Sequence, residues 1–255
     1  PTEAPPTPTE VQPTSTPVPP SATPIAPIPT PGPSVQLRWY GQSTFTLTTP
    51  GGVKILMDPM GPETGYGLSP IEGINVVTVS HEHFDHNNIA LATGSPTVLR
   101  GLEAGGWATI RETIGDVAIR NVATYHDESS GAERGLNSIF VFEVGGMHLV
   151  HLGDLGHVLS ADQVAAIGPV DILMIPVGGV FTIDAGAATR VMEQLSPPVI
   201  IPMHYKTADL SPGLPLAPVD NFLSGKQVQR VGSNTITIAA EALPEAPTVM
   251  VLDYE

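Results

Sequence analysis

The sequence contains no cysteine among its 255 residues. Disulfide bonds are therefore excluded, and a metal site in this chain has to use imidazole and carboxylate ligands instead of thiolates. Basic residues are also scarce, because ten Lys and Arg stand against 25 Asp and Glu, for a formal charge of −15. Since duplex binding requires basic side chains that neutralise phosphates, this balance argues against nucleic acid as a partner and favours a small-molecule substrate.

Long apolar runs are missing as well, so the sequence predicts no membrane-spanning segment in this chain. Residues 1–34 hold 13 of the 28 prolines, mixed with Thr, Ser and Ala, and predict a disordered Pro/Thr-rich linker. The first residue is Pro, so we expect a processed or trimmed product. A tether of this kind favours an exported protein of the cell envelope or the extracellular space, with a lipid anchor upstream as one option. A cytoplasmic protein is the alternative.

Residues 35–255 are predicted to form one domain of alternating strand and helix signals. A Ser and an Asp at N-cap positions begin the predicted helices 160–168 and 184–195. This order fits two mixed sheets packed together with helices outside. The predicted strands are 35–41, 43–49, 53–58, 74–80, 117–126, 138–144, 147–154, 170–179, 199–205, 235–240 and 248–253.

Metal-ligand residue types gather at the ends of four of these strands. The residues are His81, His83, Asp85 and His86 after 74–80, His126 at the end of 117–126, Asp154 at the end of 147–154, and His204 within 199–205. A rigid strand aims the loop that follows it, so ligands tend to collect at such places. Imidazole and carboxylate groups suit Zn²⁺, Mn²⁺ or Fe. His81 and His83 are two positions apart in a loop and can chelate the same ion.

The segment HEHFDH (81–86) resembles the H-x-H-x-D-H signature of the metallo-β-lactamase superfamily. The segments YHD (125–127), HLGD (151–154) and PMHY (202–205) match the remaining ligand positions of that family in order. Within the superfamily, the chain is similar to the branch of ascorbate-6-phosphate lactonase and N-acyl-phosphatidylethanolamine phospholipase D. The resemblance covers residues 35–255 and implies an α/β fold, a four-layer αββα sandwich with a two-metal site between the sheets.

The resemblance also implies a ligand set and a reaction. His81, His83 and His126 would hold one ion, Asp85, His86 and His204 the second, and Asp154 would bridge them. A hydroxide between two divalent ions would attack a phosphodiester, a lactone or another ester, because the cations lower the pKa of water and polarise the scissile group. Asp85 could also take a proton from that water, which makes Asp85 and Asp154 the predicted catalytic residues. Zn²⁺ is favoured, with Mn²⁺ or Fe as alternatives.

Five further residues are candidates for substrate-binding or supporting roles. Lys206 and Arg134 are candidates for binding an anionic substrate group, and His157 is a candidate for the pocket mouth. His151 and Asp58 are candidates for hydrogen-bonding a ligand histidine from behind. Ordinary surface, packing or turn-forming roles are the alternatives for these residues.

Two other functions remain open from the sequence. One is a tethered, non-catalytic binding domain that metal stabilises. The other is redox chemistry at a di-iron site. Relatives of that kind commonly carry a flavin-binding module, and no such module is expected within residues 1–255. The oligomeric state is not predicted.

Overall fold

The computed structural model describes residues 2–4 and 32–254. The predicted linker, residues 1–34, therefore lies almost entirely outside the described residues. Among the described residues, none of the helices combines the length and the apolar character needed to cross a bilayer.

The strands are short and separated by tight turns. In the described part of the chain they are Ser34–Gly41 (β1), Thr44–Thr48 (β2), Lys54–Met57 (β3), Val76–Val79 (β4), Thr97–Arg100 (β5), Leu102–Glu103 (β6), Gly106–Trp107 (β7), Arg111–Ile114 (β8), Val117–Tyr125 (β9), Leu136–Val144 (β10), Met147–His151 (β11), Ile172–Pro176 (β12), Val199–Met203 (β13), Val228–Arg230 (β14), Thr235–Ala239 (β15) and Thr248–Val251 (β16). The α-helices are Ala161–Ile167 (α1), Ala185–Leu195 (α2) and Asp220–Leu223 (α3).

Two sheets form the frame of the fold. The first sheet has the strand order β15-β1-β2-β3-β4-β5, and the second has the order β14-β16-β13-β12-β11-β10-β9-β8. Antiparallel pairs open each series, and parallel pairs follow, as in β3 with β4 and β11 with β12. Strands β6 and β7 form a separate two-stranded ribbon.

The main hydrophobic core lies between the two sheets, and strand β4 shows how the sequence produces it. Val76 packs in this core, whereas its neighbours Val77 and Val79 pack in a second apolar cluster on the outer face of the first sheet. All three side chains are fully buried. The unbroken apolar run of β4 therefore reflects burial on both faces.

The α-helices contact the second sheet or one another. Helix α1 contacts β9, and α2 contacts β12 and α3. The Ser160 hydroxyl accepts a hydrogen bond from the Gln163 N–H in a capping box, and Asp184 caps α2 through the Ala187 N–H at 2.8 Å. Both predicted helix starts are confirmed.

On the outer face of the first sheet, loops and 3₁₀ turns at Pro62–Thr64 and Ile89–Leu91 stand where the four-layer arrangement has α-helices. Segment 59–73 is rich in Gly and Pro, which disfavour an α-helix. The α/β sandwich itself is confirmed.

Several short elements were not predicted from the sequence, namely strands β5 to β8, strand β14 and helix α3. Strands β5 and β8 are four residues long, and none of their side chains is fully buried. Because they lack an apolar alternation, only pairing with a neighbouring strand defines them.

Candidate metal centre

Four strand ends meet at one edge of the two sheets. The loop after β4 comes from the first sheet, and the loops after β9, β11 and β13 come from the second. All seven candidate ligands lie there and form two groups. Within each group, the ligand atoms lie within 4.8 Å of one another. One group is His81, His83 and His126, and the other is Asp85, His86, Asp154 and His204.

The carboxylate of Asp154 belongs to the second group and also faces the first. Its Oδ2 atom is 3.2 Å from Nε2 of His126 and 3.8 Å from Nε2 of His81. Its Oδ1 atom is 3.1 Å from Nε2 of His86 and 3.4 Å from Nε2 of His204. Each carboxylate oxygen therefore faces a different group of imidazoles.

Several of the inward-facing atoms are buried without a hydrogen bond of good geometry, although Nε2 of His86 and Oδ1 of Asp154 lie only 3.1 Å apart. Within the described residues, these include Nε2 of His81, Nε2 of His86 and Oδ1 of Asp154. Leaving a buried polar atom unpaired costs about 1–3 kcal/mol, so such atoms are rare in folded proteins. A cation shared by imidazole nitrogens and carboxylate oxygens satisfies all of these atoms, and the donor types suit Zn²⁺, Mn²⁺ or Fe. The residues present fit a metal centre.

Burial and mutual charge set the protonation of the cluster. Burial would raise the pKa of Asp154, but the imidazoles of His204, His86 and His126 outweigh it and hold that pKa well below its usual range. For His86, burial opposes the charged form, yet Asp154 and Asp85 raise its pKa well above the usual value. Burial lowers the pKa of His81. The Asp154 carboxylate is therefore ionised and available to a cation, and a cation that binds beside it would displace a proton from His86.

Asp58 supports the cluster from behind. It directly follows β3, and its Oδ2 atom accepts a hydrogen bond at 2.8 Å from Nδ1 of His86. Its Oδ1 atom accepts from the Ser80 N–H at 2.7 Å. The hydrogen bond between Nδ1 of His86 and Asp58 fixes the imidazole ring so that its Nε2 atom points into the cluster. The hydrogen bond suggested by the sequence is present, and the ligand role of His86 stays a prediction.

His151 is buried with both of its ring nitrogens bonded to the backbone. Its Nε2 atom donates to the Ser43 carbonyl at 2.8 Å, and its Nδ1 atom accepts from the Gly153 N–H at 3.2 Å. Nδ1 lies 3.9 Å from Oδ2 of Asp58, which is too long for a hydrogen bond. His151 therefore joins the loop before Asp154 to the first sheet.

Gln42 is a supporting residue that the sequence did not indicate. Its side-chain amide donates to Oδ2 of Asp85 at 3.2 Å, and its backbone carbonyl accepts a hydrogen bond from the His204 N–H at 3.1 Å. Gln42 has φ 45° and His204 has φ 51°, a left-handed backbone conformation that is costly for residues other than Gly. Such strain is not readable from residue types.

Asn137 and Asp127 were also missed. Asn137 accepts a hydrogen bond from the Asp154 N–H at 3.0 Å and donates to the Leu152 carbonyl at 3.0 Å, which fixes the loop before Asp154. Burial disfavours the charged form of Asp127, yet four backbone N–H groups, from Arg134, Gly131, Glu133 and Ser129, lower its pKa to about 2. The Asp-x-Ser spacing of 127–129 is a turn signal that could have identified Asp127.

Two glycines allow close packing behind the candidate ligands. A Cβ atom at Gly156 would collide with the backbone of His126, and one at Gly178 would collide with the carbonyl of His204. Because glycine has no Cβ atom, Gly178 lets its backbone approach the backbone of His204 closely.

The predicted substrate contacts differ in position. Arg134 lines a cavity of about 480 Å³ that opens onto His83, Asp85, His126 and Asp154. Lys206 is exposed and is not among the residues that line this cavity. His157 does not line it either, and its ring nitrogens bond to the Tyr125 N–H and the Val158 carbonyl. Substrate contact by Lys206 and His157 stays a prediction.

Comparison with known proteins gives one consistent result. Residues 36–204 match the family described as the beta-lactamase superfamily domain. The UPF0173 metal-dependent hydrolase of Anaeromyxobacter sp. (strain K) is 32% identical over 71% of this chain and 78% of that protein. A relative of the same name from Pyrobaculum islandicum is 30% identical over 69% of this chain and 86% of that protein.

Solved structures agree with these matches. A Thermotoga maritima protein assigned to the Zn-dependent hydrolases of the metallo-beta-lactamase superfamily is 36% identical. Its TM-score is 0.68, and the match covers 87% of this chain and all of that one. The metallo hydrolase Igni18 from Ignicoccus hospitalis, at 19% identity and a TM-score of 0.57 over 80% of this chain and 98% of that one, shares the fold.

Proposed function

The chain belongs to the beta-lactamase superfamily, and we propose that it acts as a hydrolase with two divalent metal ions held between its sheets. The observation that carries this proposal is the position of Asp154, whose two oxygens face two separate groups of imidazoles. A carboxylate in that position is suited to joining two cations. The names of the relatives, metal-dependent hydrolases, support the same activity.

The two groups of side chains are the proposed ligand sets. His81, His83 and His126 would hold one ion, and Asp85, His86 and His204 would hold the other. Asp154, whose oxygens reach both sets of imidazoles, would be a ligand as well. Zn²⁺ fits this donor set, with Mn²⁺ or Fe as alternatives. When bound, two such ions lower the pKa of a water molecule and polarise the scissile group.

The remaining chemistry belongs to the chain itself. Hydrolysis joins the water oxygen to a carbonyl carbon or a phosphorus, breaks the ester bond to the leaving oxygen, and passes a proton to that oxygen. Asp85 lines the cavity, and the pKa of its carboxyl lies below the usual range, because its interactions with His86 and His204 outweigh the effect of burial. Asp85 is therefore placed to accept the proton of the attacking water and return it to the leaving group.

The substrate we propose is a phosphodiester, a lactone or another ester. Arg134 is the cationic side chain among the described residues that line the cavity, and its guanidinium can meet an anionic group of the substrate. Glu133 lies 3.6 Å from it and partly offsets its charge. An uncharged ester is therefore as compatible with this cavity as a phosphodiester.

The test is turnover by metal-loaded protein of a chromogenic phosphodiester, a chromogenic ester and a simple lactone. We expect hydrolysis of one of these, with a loss of at least about 100-fold in kcat in Asp154→Ala. His148→Ala is the matched control, because His148 is half-buried and pairs with Asp171 away from the cluster. It should keep full activity.

Circular dichroism and bound metal are measured on the same samples. Turnover that Asp154→Ala leaves intact would contradict the proposal. Turnover of none of the three substrates, with metal bound and the fold retained, would favour a metal-stabilised domain without catalysis.

A further inference from the structure

The phenylalanines of this chain divide into two sets. All six lie in the described residues, and Phe45, Phe140, Phe142 and Phe222 are fully buried in the main core. The other two, Phe84 and Phe181, both line the cavity over the metal cluster. Phe84 is 46% exposed and Phe181 is half-buried. Aromatic side chains uncovered beside a reaction site are available for contact with a ligand.

Phe84 lies inside the candidate ligand loop, between His83 and Asp85. Its carbonyl accepts a hydrogen bond from the Gly61 N–H at 2.9 Å, and the His86 N–H bonds to the His83 carbonyl at 3.0 Å. Both contacts fix the backbone on either side of Phe84. The exposed ring is therefore presented from a rigid segment.

Phe181 is presented by a strained turn. Val180 has φ 63°, and the Phe181 N–H bonds to the Gly179 carbonyl at 2.7 Å. A β-branched residue in the left-handed region is a genuine outlier, with a cost of about 1–3 kcal/mol. Strain of this kind tends to persist where a side chain has to be held for function.

A third apolar side chain, Leu214, lines the same cavity from the loop after β13. Phe181 and Leu214 also pack against the apolar cluster on the outer face of the first sheet. Their positions are thus supported from behind. Three separate segments of the chain bring apolar side chains to one cavity, whose volume of about 480 Å³ is in the usual range for a small-molecule site.

We propose that Phe84, Phe181 and Leu214 form an apolar subsite that binds a bulky aromatic or branched aliphatic group of the substrate, next to the bond that is cut. This inference rests on the proposed hydrolase function and narrows its substrate class to esters with such a group. The subsite determines specificity, because an apolar group that leaves water for these side chains gains binding free energy in proportion to the area covered.

The first test is binding, which does not depend on turnover. The probes are 3-phenylpropanoate and propanoate, measured by titration calorimetry on metal-loaded protein. We expect the phenyl acid to bind at least about tenfold more tightly, with a more negative heat-capacity change. Phe84→Ala and Phe181→Ala should each reduce that ratio by severalfold. Val228→Ala should not, because Val228 is 38% exposed in β14 and does not line the cavity.

Equal affinity for the two acids, or a ratio that both variants leave unchanged, would overturn the subsite. Bound metal is measured in each variant. If Phe84→Ala loses metal, the test rests on Phe181→Ala alone, because Phe181 lies outside the ligand loop.

The second test separates the subsite from the proposed function. Phenyl-substituted and methyl-substituted esters with the same chromogenic leaving group are compared by kcat/KM. Higher kcat/KM for the phenyl ester that falls in Phe181→Ala supports both proposals. Equal kcat/KM for the two esters would overturn the subsite and leave the hydrolase intact. Selective binding of the phenyl acid without hydrolysis of any ester would overturn the hydrolase and leave the subsite.

Discussion

At the scale of single residues, the cluster depends on side chains that hold the candidate ligands in place. Asp58 bonds to His86, Gln42 bonds to Asp85, and Asn137 bonds to the backbone of Asp154. None of the three belongs to the two groups of candidate ligands. Their effect on a bound metal acts through the ligand that each one orients.

Asp58→Asn should weaken metal binding by about 10–100-fold, because the amide is a poorer acceptor for the Nδ1–H of His86 and loses the negative charge behind the ring. Competition with a chromogenic chelator measures the affinity. Asp116→Asn is the matched control, since Asp116 bonds to Thr49 and Gly51 in a surface turn. Equal affinity in the two variants would show that Asp58 does not support the metal.

Tyr66 should make the fold sensitive to alkaline pH. Burial disfavours its phenolate and raises the pKa of Tyr66 from about 10 to about 12. A raised folded-state pKa means that the stability contributed by the neutral phenol is complete below about pH 10 and is lost as the pH rises towards 12. Urea unfolding of the wild type should therefore show a falling free energy of unfolding in that window.

The control for this slope is Tyr66→Phe, which removes the titrating group and keeps the ring that packs edge-on against Tyr254. Its free energy of unfolding should fall less steeply. Some slope should remain, because burial also raises the pKa of Tyr205. Identical slopes in the two proteins would contradict the prediction.

At the scale of elements, strand ends and tight turns place the reactive groups. The loops after β4, β9, β11 and β13 carry the candidate ligands, and the turn at Gly179 to Phe181 carries a half-buried aromatic ring. The turn stores backbone strain at Val180. The turn therefore positions the Phe181 ring at a cost in the free energy of unfolding.

Val180→Gly should raise the free energy of unfolding by about 1 kcal/mol. Glycine relieves a strain of about 1–3 kcal/mol and costs about 0.5–1 kcal/mol in backbone entropy. Little packing is lost, because Val180 is 53% exposed. Val228→Gly, at a similarly exposed valine in a regular strand, should lower the free energy of unfolding. Urea unfolding measures both. A loss of stability in Val180→Gly equal to that in Val228→Gly would rule out strain in the turn.

Much of this arrangement could be predicted from the sequence. The predicted strands 74–80, 170–179 and 199–205 contain β4, β12 and β13, and the HEHFDH segment indicated four of the seven candidate ligands. Those signals are local. The role of Gln42 depends on a left-handed backbone and on contacts with residues 43 and 162 positions away, so no short segment contains it. The subsite also joins Phe84, Phe181 and Leu214, which only the fold brings to one cavity.

At the scale of the whole molecule, the candidate metal centre joins the two sheets. Candidate ligands from the first sheet, on the loop after β4, meet His126, Asp154 and His204 from the second. The hydrophobic core between the sheets fixes their relative position. The site is thus assembled only when both halves of the sandwich have folded.

The most direct test of the account is the number of metal ions bound per chain, measured by native mass spectrometry after reconstitution with Zn²⁺. We predict two ions in the wild type and the loss of one ion in His126→Ala and in His204→Ala, since these residues belong to different groups. His148→Ala should keep two ions. A wild-type chain that binds fewer than two ions, or unchanged stoichiometry in both ligand variants, would contradict the dinuclear centre.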